Sequence, residues 1–403
     1  MNIGIISIYP PPKSKHAKLG GVGSYTKNLM DSLKTFANDY YIYSDKTRKK
    51  MTEHIDDDIT IFYCWDSASI KYPFQIIYRI LKQKTKLDLI HIQYEVFLYG
   101  GILSAITFPL LITLLRLLKI PVVLTIHQVL PISKIDNTFL SILGVKGSPY
   151  VFKKGLKILL NFICFFSNSI IVHETLFKSC LINEYGFKRD KKINVIPHGI
   201  EEQIDLIDAG KAKEKLQIKK EYVVLFFGYL SKYKGIEIFL DSFKYLHRDD
   251  ILFIIAGGVH PRLKNDQTYI KYINSLKKRI QNKNIIFTGF VEEDKINLYF
   301  SAADLVVFPY TIVMSSSGPM ALAIAYEKPF LASSSYKNML NDEILFEKDA
   351  YHLARKINTT LESKKSSQHM QDYIKELKRE RLWKEIGKKH YRIYKNLSKS
   401  KTE

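Results

Sequence analysis

Acidic side chains, cysteines and processing signals are all scarce in this chain. Its three cysteines, Cys64, Cys164 and Cys180, lie far apart in 403 residues. They match neither a zinc-ligand spacing nor Cys-x-x-Cys, which excludes a disulfide scaffold and a zinc module and points to thiols kept reduced in a cytosol. No basic segment precedes the apolar start "MNIGIISIYPPP", so it is expected to be a first buried strand and not a secretory leader. No internal repeat is present, and low complexity is confined to the Lys/Ser-rich end. Asp and Glu number 40 against 61 Lys and Arg, a formal net charge of +21. That excess suits nucleic acid, an anionic membrane or a phosphorylated substrate, and equally suits lysines spread over solvated faces. No nucleic-acid-binding motif accompanies the charge, so no nucleic-acid partner is expected.

Long apolar runs are also rare. The twenty uncharged residues 96–115, "VFLYGGILSAITFPLLITLL", are long enough to span a bilayer. Gly100, Gly101 and Pro109 interrupt them, and strand-like "LDLIHIQYE" and "PVVLTIH" flank them. A crossover helix between parallel strands is the better expectation. What the chain has in quantity is short apolar strands alternating with helical segments. "NIGIISIY", "DYYIYS", "LDLIHIQ", "PVVLTIH", "SIIVH" and "INVIPHG" form one series. "YVVLFFG", "ILFIIAGG", "NIIFTGF", "DLVVFPY" and "KPFLASS" form a second. Each series predicts a parallel sheet covered on both faces, so the expected class is α/β with two doubly wound domains. The expected boundaries are 1–200 and 201–375, joined through a polar segment near 198–220, with a basic helix over 376–398 returning to complete the first domain.

Four groups of residues could carry chemistry. Gly20, Gly21 and Gly23 follow the first strand and precede "SYTKNLMDSLK". Glycines there let a ligand approach the backbone and its free N–H groups, though a plain turn uses the same residues. His127 closes "PVVLTIH", at the strand end where open α/β sheets bind ligands; it is either a ligand contact or an internally satisfied imidazole. His198 reads as an interdomain turn. Lys234, with Lys232 as a second contact, stands at a strand-to-helix turn and can neutralise a diphosphate, or is simply solvated. Finally, "SSSGP" places Ser315, Ser316, Ser317 and Gly318 at the start of a helix with Pro319 in its first turn, a ready phosphate site.

In order and spacing, "GGVGSYTKNL", "HIQYEVFLYGG", "PVVLTIHQVLP", "INVIPHGI", "LFFGYLSKYKGIEIFLDSF", "FIIAGG", "IIFTGFVEEDKINLYFSAADLVVFPY" and "SSGPMALAIAYEKPFLAS" resemble the retaining nucleotide-sugar glycosyltransferases of family 4. The resemblance covers nearly the whole chain and implies the GT-B fold, two Rossmann-like domains facing each other across a cleft. It implies a nucleotide-diphosphate sugar as donor, held mainly by the C-terminal domain, and a glycan or lipid-linked acceptor on the N-terminal one. Donor contacts are implied for Gly20, Gly21, Gly23, Lys232, Gly257, Ser316, Ser317 and Gly318, and catalytic roles for His127 and Lys234. It implies no cofactor and no metal, in keeping with the lack of Asp-x-Asp in the segments concerned. The family's arginine position holds Tyr229, and its usual glutamate pair falls at Met314 and Leu322, neither of which can bond a sugar hydroxyl. That departure leaves open a catalytically silent sugar-nucleotide-binding or partner subunit. A nucleotide-sugar 2-epimerase would need an acid/base array that the sequence does not supply. Residues 145–166 alternate Lys146, Lys153, Lys154 and Lys157 with Tyr150, Phe152, Leu156, Leu159 and Leu160. They are expected to lay a helix on an anionic membrane from the cytoplasmic side.

Overall fold

The computed structural model describes residues 1–11, 20–46, 52–56, 59–67, 69–202, 204–259, 263–280 and 282–399. The chain forms two compact units. Unit 1 comprises Met1–Gly199, Met314–Ser316 and Trp383–Glu403; unit 2 comprises Ile200–Val313 and Ser317–Leu382.

Unit 1 is built on strands β1 (Asn2–Ile6), β2 (Asp39–Asp45), β3 (Thr52–Asp56), β4 (Ile59–Trp65), β5 (Leu89–Tyr94), β6 (Val122–Ile126), β7 (Ser169–Val172) and β8 (Ile193–Val195). Their order is β3-β4-β2-β1-β5-β6-β7-β8. All pairings are parallel except β3 with β4. Both faces are covered, so the central strands bury every residue, as continuous apolar runs require. Strand β4, "ITIFYCW", is missing from the sequence-derived series although its apolar, aromatic run was legible. It extends the sheet through Ile42↔Ile61.

The helices are α1 (Gly20–Leu33), α2 (Tyr72–Lys82), α3 (Ile102–Leu117), α4 (Asn137–Ile142), α5 (Pro149–Phe166) and α6 (Thr175–Asn183). Helix α3 is the expected crossover between the parallel neighbours β5 and β6. Among the described residues no helix is long and apolar enough to cross a membrane. Two expectations need correction. The glycine-rich segment does not precede α1; Gly20, Gly21 and Gly23 are its first turn. In α5, Leu156 and Leu160 belong to the core, where the amphipathic period turns them inward, while Tyr150, Val151, Ile158, Phe165 and Phe166 stand exposed.

Unit 2 has strands β9 (Tyr222–Phe227), β10 (Ile251–Ala256), β11 (Ile285–Phe287), β12 (Leu305–Phe308), β13 (Phe330–Ser333) and β14 (Leu345–Phe346). They form an all-parallel sheet ordered β11-β10-β9-β12-β13-β14. Its helices are α7 (Ala209–Lys215), α8 (Ile236–Ser242), α9 (Gln267–Lys278), α10 (Ile296–Ala302), α11 (Gly318–Ala325), α12 (Ala350–Glu362) and α13 (Lys364–Arg381). The strand order reverses between β9 and β12, the switch point at which such sheets open a crevice.

The single basic helix expected over 376–398 is two helices, α13 and α14 (Trp383–Lys399). They part at Leu382 because the backbone there is drawn sideways: Ile200 N donates to Arg381 O at 2.8 Å, and Ile200 bridges Leu382 in parallel. Only α14 joins unit 1, packing on α1 and adding Trp383, Ile386 and Tyr394 to its core. Gly387 permits the close approach; a Cβ there would meet Ser32 Oγ at 2.6 Å and its carbonyl at 3.0 Å. Gly387→Leu is therefore expected to destabilise unit 1 by about 1–3 kcal/mol through overpacking. Both tryptophans of the described chain, Trp65 and Trp383, lie in unit 1, so a fluorescence melt follows this unit. A variant with an unshifted melt would show that α14 is not tightly seated.

Candidate anion site and a buried histidine web

In unit 2, β9 is followed by Gly228, and the chain then makes a 3-10 turn, Lys232–Lys234, before α8. Gly235 closes that turn with φ +65, and a Cβ on it would lie 1.9 Å from Pro309 O, so only glycine lets the turn seat against the end of β12. Thr311 N donates to Tyr233 O at 2.7 Å and fastens the same two segments. The turn directs Lys234 inward; its residue is only 7% exposed. Gly228, at φ +115, leaves the space this side chain enters: a Cβ there would sit 2.9 Å from both Lys234 Nζ and Pro319 Cγ.

That geometry sets the ammonium beside the first turn of α11. Ser317 is its N-cap, its Oγ accepting from Met320 N at 3.2 Å, with Pro319 in the first turn. Tyr310 Oη meets Ser317 Oγ at 3.2 Å, and Lys234 Nζ lies 5.7 Å from the Tyr310 ring centre. Ser333 Oγ in turn donates to Tyr310 O. Among the described residues no carboxylate pairs with Lys234. Burial lowers its pKa from 10.5 to about 8. A buried cation at a helix N-terminus faces the positive end of the dipole, so both groups favour an anion in the same place.

The other positions expected on the donor divide. Lys232 is exposed at the start of the turn. Gly257 serves a close backbone approach, since a Cβ would lie 2.2 Å from Gly228 O, and its role is to let the ends of β9 and β10 meet. Gly318 is exposed in the first turn of α11, with nothing within 4 Å of a Cβ built on it. The serine run, expected to act together, is split. Met314–Ser316 cluster with unit 1, where Val129 N donates to Met314 O at 2.9 Å and Ser315 bridges Gln128. Ser316 Oγ is buried and has no hydrogen-bond partner among the described residues. Tyr229 stacks on Phe290 with 6.1 Å between ring centres. Glu327 pairs with Lys378 at 2.8 Å beyond the C-terminal end of α11 and is spent there.

In unit 1, His127 is buried with both ring nitrogens engaged. Nε2 lies 2.8 Å from the Gln93 side-chain amide and Nδ1 3.1 Å from His173 Nε2. Chemistry fixes the protons. Ile196 O can only accept, so His173 Nδ1 donates to it at 3.0 Å. Gln93 Oε1 can only accept, so His127 Nε2–H donates to it at 2.8 Å, and His127 Nδ1 is the nitrogen that meets His173 Nε2 at 3.1 Å. The web continues inward: His91 Nδ1 lies 2.6 Å from Tyr394 Oη, His91 Nε2 meets Thr125 Oγ1 at 2.7 Å, and His390 Nδ1 donates to Ile386 O at 2.9 Å. Tyr25 packs edge-on against His127 at 4.7 Å and Trp383 at 5.1 Å, and Tyr25 also contacts His198 at 5.3 Å. Burial holds His91 and His127 well below the usual imidazole range and lowers His390 to about 4.

Of these partners, the sequence reading missed Gln93, His173, Tyr25 and Tyr310. Gln93 and Tyr25 carried no distinguishing signal. His173 ends "SIIVH" at a strand terminus as His127 does, and could have been paired with it. Among the described residues no three His, Cys, Asp or Glu side chains are placed to hold a metal ion.

Comparison with known proteins now bears on these sites. The family described as Glycosyltransferase Family 4 matches residues 19–203, and that described as Glycosyl transferases group 1 matches 208–377. A GDP-mannose:glycolipid 4-beta-D-mannosyltransferase of Xanthomonas campestris pv. campestris is 28% identical over 178 residues, 42% of this chain and 48% of that protein. The chain thus matches about half the length of that relative. An alpha-monoglucosyldiacylglycerol synthase of Streptococcus pneumoniae is 25% identical over 354 residues, 81% of this chain and 71% of that one. Among solved structures, sucrose-phosphate synthase from Thermosynechococcus elongatus superposes with TM-score 0.74 at 16% identity, covering 99% of each chain. Anabaena HepE in complex with UDP gives 0.69 at 16% identity, over 98% of this chain and 100% of that one. These likenesses establish the GT-B fold.

Two outcomes are expected. Lys234→Met should raise the melting temperature of unit 2 in calorimetry, because it removes a buried charge that costs on the order of 3 kcal/mol, and should lose stabilisation by UDP or GDP. A variant that melts lower and gains as much from nucleotide as the parent would take Lys234 out of the site. The histidine web gives unit 1 an acid limit. Histidines whose folded pKa is depressed bind more protons when unfolded, so their contribution is present above the unfolded value near 6.5 and is lost as pH falls toward the folded value, about 4 for His390. Tryptophan-monitored melts should drop steeply between these pH values; a flat profile would show the histidines to be charged or solvated.

Proposed function

Because this chain belongs to the group 1, family 4 glycosyltransferases with the GT-B fold, we propose that it moves a hexose from a nucleotide-diphosphate sugar to a glycan or lipid-linked acceptor, with retention and without a metal. The observation that carries the reading is Lys234, buried, unpaired and set at the N-terminus of α11. As the bond from the anomeric carbon to the diphosphate breaks, negative charge grows on the departing oxygen. A fixed ammonium and helix dipole stabilise it without rearranging. The acceptor hydroxyl forms the new bond on the same face, and its proton departs with the diphosphate.

Unit 2 binds the nucleotide sugar in this reading, and unit 1 carries the acceptor. His127 acts as a neutral, rigidly held imidazole, so His127→Ala lowers transfer more than diphosphate affinity. The names of two relatives, acting on a glycolipid and making a glucosyldiacylglycerol, support a lipid-linked acceptor in cell-surface polysaccharide or glycolipid synthesis. With such an acceptor the protein works at the cytoplasmic face of a membrane, and the exposed apolar residues of α5 with Lys146, Lys154 and Lys157 supply reversible contact with anionic lipid. The two names carry opposite anomeric descriptors, so retention is decided by the product's anomeric configuration.

A second reading has one observation in its favour. Met314 is buried and Leu322 is apolar where the family usually carries glutamates, which suits a subunit that binds the sugar nucleotide without transferring it. One experiment separates the two. The protein is screened for stabilisation by UDP-, GDP-, ADP- and TDP-sugars, and the best donor is then incubated with lipid acceptors and the product analysed. Transfer is expected, with Lys234→Ala slowing turnover by about 2–4 kcal/mol of barrier. Binding without transfer to any acceptor would establish the silent reading, and an unchanged Lys234→Ala rate at saturating donor would overturn the role given to the lysine.

A further inference from the structure

Helices α3 and α5 lie side by side on unit 1 and leave an apolar groove of 510 Å³ between them, within the range of sites for drug-sized ligands. Ile102, Ile106, Val151, Ile158 and Phe162 are among its walls, and no carboxylate is. Leu103 and Ile106 are 69% and 65% exposed, and Val151 and Ile158 are 67% and 64%, so the groove opens onto an apolar rim. Isolated exposed apolar residues are ordinary; a concave run of them on two packed helices is not.

A glycine sharpens the point. Gly155 lies inside α5, where glycine weakens a helix relative to alanine, and a Cβ on it would meet nothing within 4 Å. Among the described residues no close neighbour and no positive φ requires it. It lines the groove, and any side chain there would fill the space. The charge around the groove names the other half of the ligand. Residues 96–173 contain seven Lys and Arg and one acid, Asp136. That acid is spent capping α4, accepting from Phe139 N at 2.7 Å. Lys146 lines the groove itself, and Lys154, next to Gly155, is exposed.

We propose that this groove takes the hydrocarbon chain of a phosphate-bearing lipid, with Lys146 and Lys154 meeting its anionic headgroup. The inference deepens and rests on the lipid-linked acceptor proposed above: the chain is held by unit 1 itself, in addition to any general adhesion to a bilayer. Chain burial supplies affinity, and the lysines select anionic over neutral amphiphiles.

The test uses the whole protein and needs no donor. Decyl phosphate, kept below its micelle concentration, is titrated calorimetrically, with inorganic phosphate and decyl maltoside as separate arms. Decyl phosphate is expected to bind, inorganic phosphate not to bind, and decyl maltoside to bind more weakly. Gly155→Leu should weaken decyl phosphate at least about tenfold, as expected when two methylenes lose their place. It should melt at or above the parent temperature, which shows that the loss is not unfolding; Gly155→Ala should have a smaller effect. Lys146→Glu with Lys154→Glu should abolish the preference for the phosphate. Undiminished binding by folded Gly155→Leu, or equal binding of inorganic phosphate or of decyl maltoside, would overturn the proposal. Failure of the lipid-acceptor reading looks different: the groove would bind decyl phosphate while transfer proceeds only to water-soluble glycans.

Discussion

A lysine ammonium removed from water and set against the N-terminus of a helix is an unfavourable pairing, and much of unit 2 serves to maintain it. The parallel sheet brings the ends of β9 and β12 together where the strand order reverses. Gly228 clears the space, Gly235 allows the turn to seat, and Ser317 caps α11 while Tyr310 steadies the cap. The buried charge costs stability locally, and in the function proposed above an anion would find its charges already oriented. The place stands out because, among the described residues, its charge has no carboxylate partner.

Unit 1 follows the opposite rule at its own strand ends. His127, His173 and Gln93 complete one another, with His127 Nε2 donating to Gln93 Oε1 and His173 Nδ1 to Ile196 O. Such a web gives a rigid, neutral surface in place of a titrating group. Among the described residues, unit 2 thus holds a buried charge without a carboxylate partner, and unit 1 a buried polar network whose members bond one another.

The fold was readable because parallel strands buried on both faces must be apolar throughout, and such runs stand out; β4 carries the same apolar signal. Lys234 and the α11 start were readable because Lys-Gly after one strand and Ser-Gly-Pro after another are local patterns. The division of the serine run between units, the break at Leu382 and the pairing of His127 with His173 were not. Each depends on residues brought together over long sequence distance, such as Val129 with Met314 and Ile200 with Arg381. The inward turn of Leu156 and Leu160 is present in the helical period, but Lys153, Lys154 and Lys157 flank both faces and mask it.

The return of α14 to unit 1 has a consequence for how the protein is made. Gly199, where the chain leaves that unit, would collide with the Trp383 ring at 2.3 Å if it carried a Cβ, so the exit and the re-entry are neighbours in the fold although 184 residues separate them. During synthesis, unit 2 has all its residues once Leu382 emerges. Unit 1, begun first, still lacks the tryptophan, tyrosine and histidine that close its core. Until α14 is made, His91 lacks Tyr394 and Tyr25 lacks His390 and Trp383, so unit 1 closes its core only after unit 2 has its full sequence.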